Sequence, residues 1–400
     1  MNSAPVSTTR TRRFISPQLT TIVWALAIMA VCGRVAFNKT ATRQDLFPVY
    51  QNAGQSWLTG HDLYREAKFD YRYSPLFAAA VTPLSILPLK IGSILWRLIG
   101  IGIFLGSFYW ASRQGIPNKP VSEETPLLFL LLLPLALGNV NNGQANLLVI
   151  GMLLASIAAI VQQRWMFAAV WLALAVNIKV YPLAVCLLLV LIYPRQLSWR
   201  FALCIALAVL LPFAMQRTDY VIRQYSDWWH YLRTEDRTSR SLSEWYSDLR
   251  LILRLWFLAL SPRVYLLIQI LTGALIAVFA VIGRLQSWAA PRLLGWVLSL
   301  SCCWMLLLGP ATESSTYVLI APATVWVAAE LLARDRQKLE IVWVAAIYSL
   351  QLLAGVAGWF GGMKRFGIYT SPLALAALLL AAYLLRPATF RELRVVNLHR

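Results

Sequence analysis

Residues 43 to 77, RQDLFPVYQNAGQSWLTGHDLYREAKFDYRYSPLF, lie between two apolar runs and set Asp45, Asp62, Glu66 and Asp70 among Tyr50, Tyr64, Tyr71 and Tyr73. The whole chain has only 17 acidic residues, so four of them in one short segment are a concentration. A carboxylate held against a hydroxyl can take its proton, which is worth about 10²–10⁴ in rate. Asp45 also heads an amphipathic stretch ending near Gly60. That place suits a helix cap equally well, because Asp accepts from the first free backbone N–H groups. Both readings of Asp45 stand on the sequence.

Other polar residues interrupt apolar surroundings. Lys179 stands alone in an otherwise uncharged stretch, 165 to 194. A Lys at the bilayer centre costs about 2.5–3.5 kcal/mol, so it either faces a cavity and a partner such as a lipid phosphate, or snorkels to an interface. Asn139, Asn141, Asn142, Gln144 and Asn146 gather around Gly143. Their amides can hydrogen-bond sugar hydroxyls or simply satisfy a broken backbone. Glu313 is the only acid between Asp248 and Glu330, and Ser314, Ser315, Thr316 and Tyr317 follow it. Arg237, Arg240 and Arg250 bracket a polar loop; guanidinium matches phosphate oxygens, though most such residues are solvated loop charges.

The elements that must position these residues follow from composition. The chain is 59% hydrophobic and 13% charged, against roughly 45–50% and about 25% for a soluble domain. Charge-free runs cover 14–33, 126–163, 264–283, 293–312, 341–363 and 366–385. A helix of about 20 such residues crosses a bilayer, which predicts an all-α polytopic membrane protein. The first run is too long for a signal peptide and leads straight into further spans, so it reads as a retained helix.

From a cytoplasmic start, crossings are expected at about 14–37, 74–89, 91–112, 126–139, 143–163, 165–194, 199–216, 262–284, 293–310, 315–333, 340–357 and 370–386. Both termini then face the cytoplasm. A single integral membrane domain fills 1–400, with tails 1–13 and 387–400 and outer loops 38–73 and 217–248. The strings NVNNGQ (139–144), NIKVYP (177–182) and GPATESSTY (309–317) break apolar stretches. They either line a common cavity or are short turns.

The net charge of +19 sits in short segments beside the spans. That is the positive-inside pattern, with anionic membrane lipid as the counter-charge and no nucleic acid implied. The five cysteines fall in apolar runs and the three histidines are scattered, so no metal site is expected. A P-loop and a GxSxG motif are both missing from the sequence. An enzyme built this way would draw activated substrates from the lipid phase.

The strings DLFPVY, LTGHDLY, YRYSPLFAAAVTPLSILP, NGQANLL (142–148) and NIKVYPL (177–183) resemble those of glycosyltransferase family 87, the polyprenyl-phosphate-sugar-dependent, mannosyltransferase-like membrane enzymes. The resemblance implies a GT-C-like fold in a bacterial cytoplasmic membrane. It also implies inverting transfer of mannose or another hexose from a polyprenyl-phosphate donor to a lipid or glycan acceptor, without a cofactor. The family's catalytic Asp follows the first transmembrane helix, which matches Asp45. On that pattern Lys179, Arg237 and Arg240 would meet the donor phosphate. Tyr50, Asp62, Tyr64, Tyr73, Asn142, Gln144, Asn146, Glu313 and Tyr317 would line the sugar or acceptor. The segment GPATESSTYVLIAP (309–322) lacks the His found there in many members. A transporter or flippase of lipid-linked sugars, or an envelope scaffold, is the rival reading. No oligomeric state follows from the sequence.

Overall fold

The computed structural model describes residues 15–37, 45–65, 71–118, 121, 124–235, 245–257, 260–309, 312–333, 337–359, 371–387 and 389. Arg237, Arg240, Glu66 and Asp70 lie outside the described residues. The described part is helical throughout: α1 (Pro17–Phe37), α2 (Phe47–Thr59), α3 (Pro75–Ser85), α4 (Leu89–Arg113), α5 (Thr125–Asn142), α6 (Asn146–Val161), α7 (Trp165–Ile178), α8 (Leu183–Ile192) and α9 (Pro194–Leu210). Then come α10 (Thr218–Thr234), α11 (Leu249–Trp256), α12 (Pro262–Leu285), α13 (Ala290–Leu308), α14 (Ala321–Ala333), α15 (Lys338–Trp359) and α16 (Pro372–Leu384). A short 3₁₀ helix, Ser314–Ile320, leads into α14. Proline sits in the first turn of many of these helices, where its missing N–H is no loss.

Among the described residues, eight helical stretches are long and apolar enough to cross a membrane. Burial divides the helices. Helices α6 and α13 are buried along nearly their whole length and form the centre. Helices α1, α12 and α15 are mostly exposed; Leu266, Leu267, Ile270, Leu271 and Leu275 of α12 face outward, as an apolar rim against lipid tails requires.

Contacts fix which helix ends share a face. Lys90 Nζ, at the head of α4, donates to Ala36 O at the tail of α1 (2.7 Å). Arg34 Nη2 donates to Asn141 O at the tail of α5 (2.9 Å), and Ser74 Oγ donates to Asn177 O at the tail of α7. At the other end Trp165 and Tyr193 lie ring to ring (5.3 Å), with Arg284 over Tyr193 (5.1 Å). Arg386 there pairs with Glu340 (2.9 Å).

These contacts correct two expected crossings. The stretch 74–89 does not cross, because α4 starts on the face where α1 ends. The stretch 165–194 is not one span but a hairpin, α7 out and α8 back, since Tyr193 returns to Trp165. One crossing lost and one gained leave the expected number of passages near twelve. They also reverse the direction of everything between, which brings the 139–146 and 177–182 breaks to one end.

Candidate active site

Helix α2 supplies the first wall. Phe47, Tyr50, Ala53, Gly54 and Trp57 are buried at the 3–4 spacing that gives a helix one apolar face. Just ahead of it, Asp45 Oδ1 accepts from Phe47 N (3.0 Å) two residues on; the cap position itself is Leu46, which makes no side-chain cap bond, so Asp45 is not the N-cap that the sequence also offered. The same oxygen meets Arg97 Nη2 at 3.0 Å. Asp45 Oδ2 meets Ser93 Oγ at the longer distance of 3.3 Å. Arg97 is fully enclosed and the Asp45 side chain is 10% exposed.

Arg97 was not foreseen, and it is the organising cation of this end. Its Nη2 donates to Asn141 O (2.9 Å) and its Nη1 to Ser93 O (3.1 Å). The turn that offers Asn141 O exists because Gly143 closes α5 in the left-handed region (φ 62°). A Cβ there would come within 3.2 Å of the Arg97 guanidinium. Glycine at 143 therefore meets a backbone demand and a space demand at once. Leu46 N donates to Asn142 O (3.1 Å) and Trp96 Nε1 to Gly143 O (2.8 Å), which ties the Asp45 segment to the break.

A second cluster lies on the far side of Tyr50. The Tyr50 hydroxyl meets the Tyr73 hydroxyl (2.9 Å) and accepts from Ala145 N (3.3 Å). Burial pushes the Tyr73 phenol up to about 12 and Tyr50 well up, so both are neutral hydroxyls. Lys179 Nζ donates to Asn146 Oδ1 (2.7 Å) and stands 5.7 Å from the ring centres of both Tyr73 and Tyr181. The Tyr181 hydroxyl donates to the same Asn146 oxygen (3.3 Å). Asn139 Nδ2 donates to Ser315 O (3.0 Å), and beside it Glu313 pairs with Arg72 (3.1 Å), with 41% of the Glu313 side chain exposed. The helix breaks, the segment between α1 and α3 and the Glu313 loop thus form one polar end.

Several of the other foreseen residues have their polar atoms engaged within the chain. Asp62 Oδ1 accepts from Tyr64 N and Arg65 N (both 2.8 Å), a turn cap. The Tyr64 hydroxyl donates to Tyr73 O (2.8 Å), and the Tyr317 hydroxyl donates to Ser247 O. Asn142 Oδ1 accepts from Asn141 Nδ2 (3.3 Å), and Gln144 is half-buried. Asp227, also not foreseen, pairs with Arg65 and docks α10 on the first outer segment, helped by Gln224 Oε1 accepting from Leu63 N (2.9 Å). Among the described residues no group of three His, Cys, Asp or Glu could hold a metal ion.

A membrane-embedded helical bundle whose helix breaks and an enclosed Asp–Arg pair meet at one end is the class this geometry defines. The family model of glycosyltransferase family 87 matches residues 71–310, and the chain belongs to that family. It is a multi-pass membrane glycosyltransferase, which sets the transporter and scaffold readings aside. The match begins at Tyr71, so Asp45 precedes the matched region. No curated protein matches the chain.

Proposed function

We propose that the protein transfers a hexose, mannose or a close relative, from a polyprenyl-phosphate carrier to a lipid or glycan acceptor, with inversion. In this reading Asp45 is the general base and Lys179 binds the donor phosphate. The acceptor oxygen attacks the anomeric carbon as the bond from that carbon to the phosphate oxygen breaks. The electron pair leaves on prenyl phosphate, and the acceptor proton goes to Asp45 Oδ2, whose partner Ser93 is the more distant one. The cation at Lys179 offsets the charge that develops on the phosphate.

One observation carries this reading: Asp45 and Lys179, 134 positions apart by their numbers, are joined at one end of the bundle through Arg97, the 143–145 turn, Tyr50 and Tyr73. The end that bears Arg284, Arg292, Lys338 and Arg386 is the opposite one, which makes it cytoplasmic by the positive-inside rule. The site then faces the extracytoplasmic side, in the bacterial inner membrane, with both termini inside. The Asn139 to Asn146 amides and the Arg72–Glu313 pair are assigned to sugar and acceptor hydroxyls.

Glu313 is the alternative base, because its carboxylate is the more exposed of the two. Asp45→Asn and Glu313→Gln, each purified and supplied with a prenyl-phospho-sugar and acceptor lipid, separate the two. Loss of transfer in Asp45→Asn with Glu313→Gln active supports Asp45; the reverse pattern moves the base to Glu313.

A further inference from the structure

Arg97 has a geometry that a merely space-filling cation would not need. Its guanidinium is fully enclosed. It is braced by carbonyl oxygens of two different elements, Ser93 on its own helix and Asn141 at the close of α5. Ser93 Oγ also meets the guanidinium and, from the other side, the second oxygen of Asp45 (3.3 Å). Arg97 and Phe47 N both fall on Oδ1. A carboxylate so held cannot rotate about its last bond without breaking two contacts to one oxygen. The two oxygens are chemically equivalent, so what the bracing fixes is the plane: one oxygen is doubly engaged and the other is met by Ser93 Oγ at the longer distance.

We propose that Arg97 is the positioning residue of this transferase. It fixes the plane of the Asp45 carboxylate, so that the oxygen turned away from the guanidinium meets the acceptor hydroxyl. This rests on Asp45 being the base. Arg97 does not touch substrate; it acts through Asp45, with Ser93 as a lesser support. A charge-only role would be met equally by lysine. An orienting role would not, because a single ammonium cannot reproduce a fork held at both nitrogens.

The test is a cycle of variants in purified, lipid-embedded full-length protein: Asp45→Asn, Arg97→Lys, Arg97→Met and the double variants with Asp45→Asn. Transfer is measured with a prenyl-phospho-sugar and acceptor lipid, and melting is followed in parallel. Arg97→Lys is expected to lower kcat about tenfold while KM for the donor moves less than twofold. Neither Arg97 variant should slow the Asp45→Asn enzyme further, because residues that act as a unit do not add. Multiplied losses in the double variants, or Arg97→Lys at the wild-type rate while Asp45→Asn is inactive, would overturn the proposal and leave Asp45 as base. Wild-type transfer by Asp45→Asn would remove the base and the positioning role together. If Arg97→Met fails to fold, the Arg97→Lys pair of measurements decides alone.

Discussion

The two ends of the bundle handle charge in opposite ways. At the site end a carboxylate, a fully enclosed guanidinium and a half-buried ammonium are held by partners from distant parts of the chain. At the other end the aromatic and cationic contacts are of a different kind. Arg284 lies over Tyr193 and Arg386 over Tyr383, and the Glu340–Arg386 pair has 18% and 12% of its side chains exposed. Burying an ion pair does not by itself stabilise a fold, since desolvation offsets the attraction. The contrast therefore lies in how charge is held: at the site end by backbone carbonyls and a helix break, at the opposite end by stacking on tyrosine and one ion pair.

That contrast can be broken by experiment, beginning with the largest expected effect. Asp45→Asn should reduce transfer at least about 10²-fold. It should also lower stability by about 3–5 kcal/mol, because Arg97 keeps its charge without its partner; kinetics and denaturant melting on the same sample check both. A variant that melts early yet transfers normally would reduce the pair to a structural tie.

Lys179→Met should lower kcat by about 10² if Lys179 carries the phosphate, with a smaller loss of stability because the Asn146 oxygen keeps only its longer bond from Tyr181. Steady-state kinetics with a prenyl-phospho-sugar decide it. A rise in KM alone would mean uniform binding of the donor and no special hold on the leaving group.

A third prediction concerns the edge of the site end. Asp248 caps α11, accepting from Leu251 N (3.0 Å), and burial pushes its carboxyl up to about 6. A carboxyl raised in the folded state favours folding most below its ordinary pKa, and that contribution is lost as pH rises through about 6. Stability should therefore fall by no more than about 3 kcal/mol between about pH 4 and 7, which is read as a falling melting temperature. The slope contributed by this group should vanish in Asp248→Asn.

The smallest effect on transfer is expected at the opposite end. Glu340→Gln should leave kcat and KM unchanged and act on stability alone, by up to about 3 kcal/mol, because its partner Arg386 is largely enclosed. A changed kcat there would mean that the two ends are coupled through the helices, and the simple division would fall.

Much of this was legible in residue order, though unevenly. Lys179 stood out because a lone cation in an apolar run needs a partner. The same argument applies to Arg97, inside LWRLIG, and to Arg34, inside CGRVAF; it was the available signal for the missed partner of Asp45. The length of 165–194 was another. About 30 residues of helix measure roughly 45 Å, half as long again as a membrane core of about 30 Å, and NIKVYP at its middle marks the turn. The stretch 74–89 misled because its apolar residues bury against α2 and not against lipid, a difference that composition cannot express.

Composition and spacing by themselves determined that this chain is an all-helical membrane protein, with polar breaks at 139–146 and 177–182 and an acid-bearing segment after its first helix. These features are local: each depends on the polarity of a single stretch, and the bilayer's thickness translates it directly into structure. Which breaks meet was decided only by tertiary structure. That depends on the direction in which each helix runs, and one short helix that fails to cross, with one hairpin in place of a span, reverses every direction between them. Asp45, Arg97 and Asn141 come together for that reason, because an enclosed charge can be satisfied only by whichever distant groups the packing delivers to it.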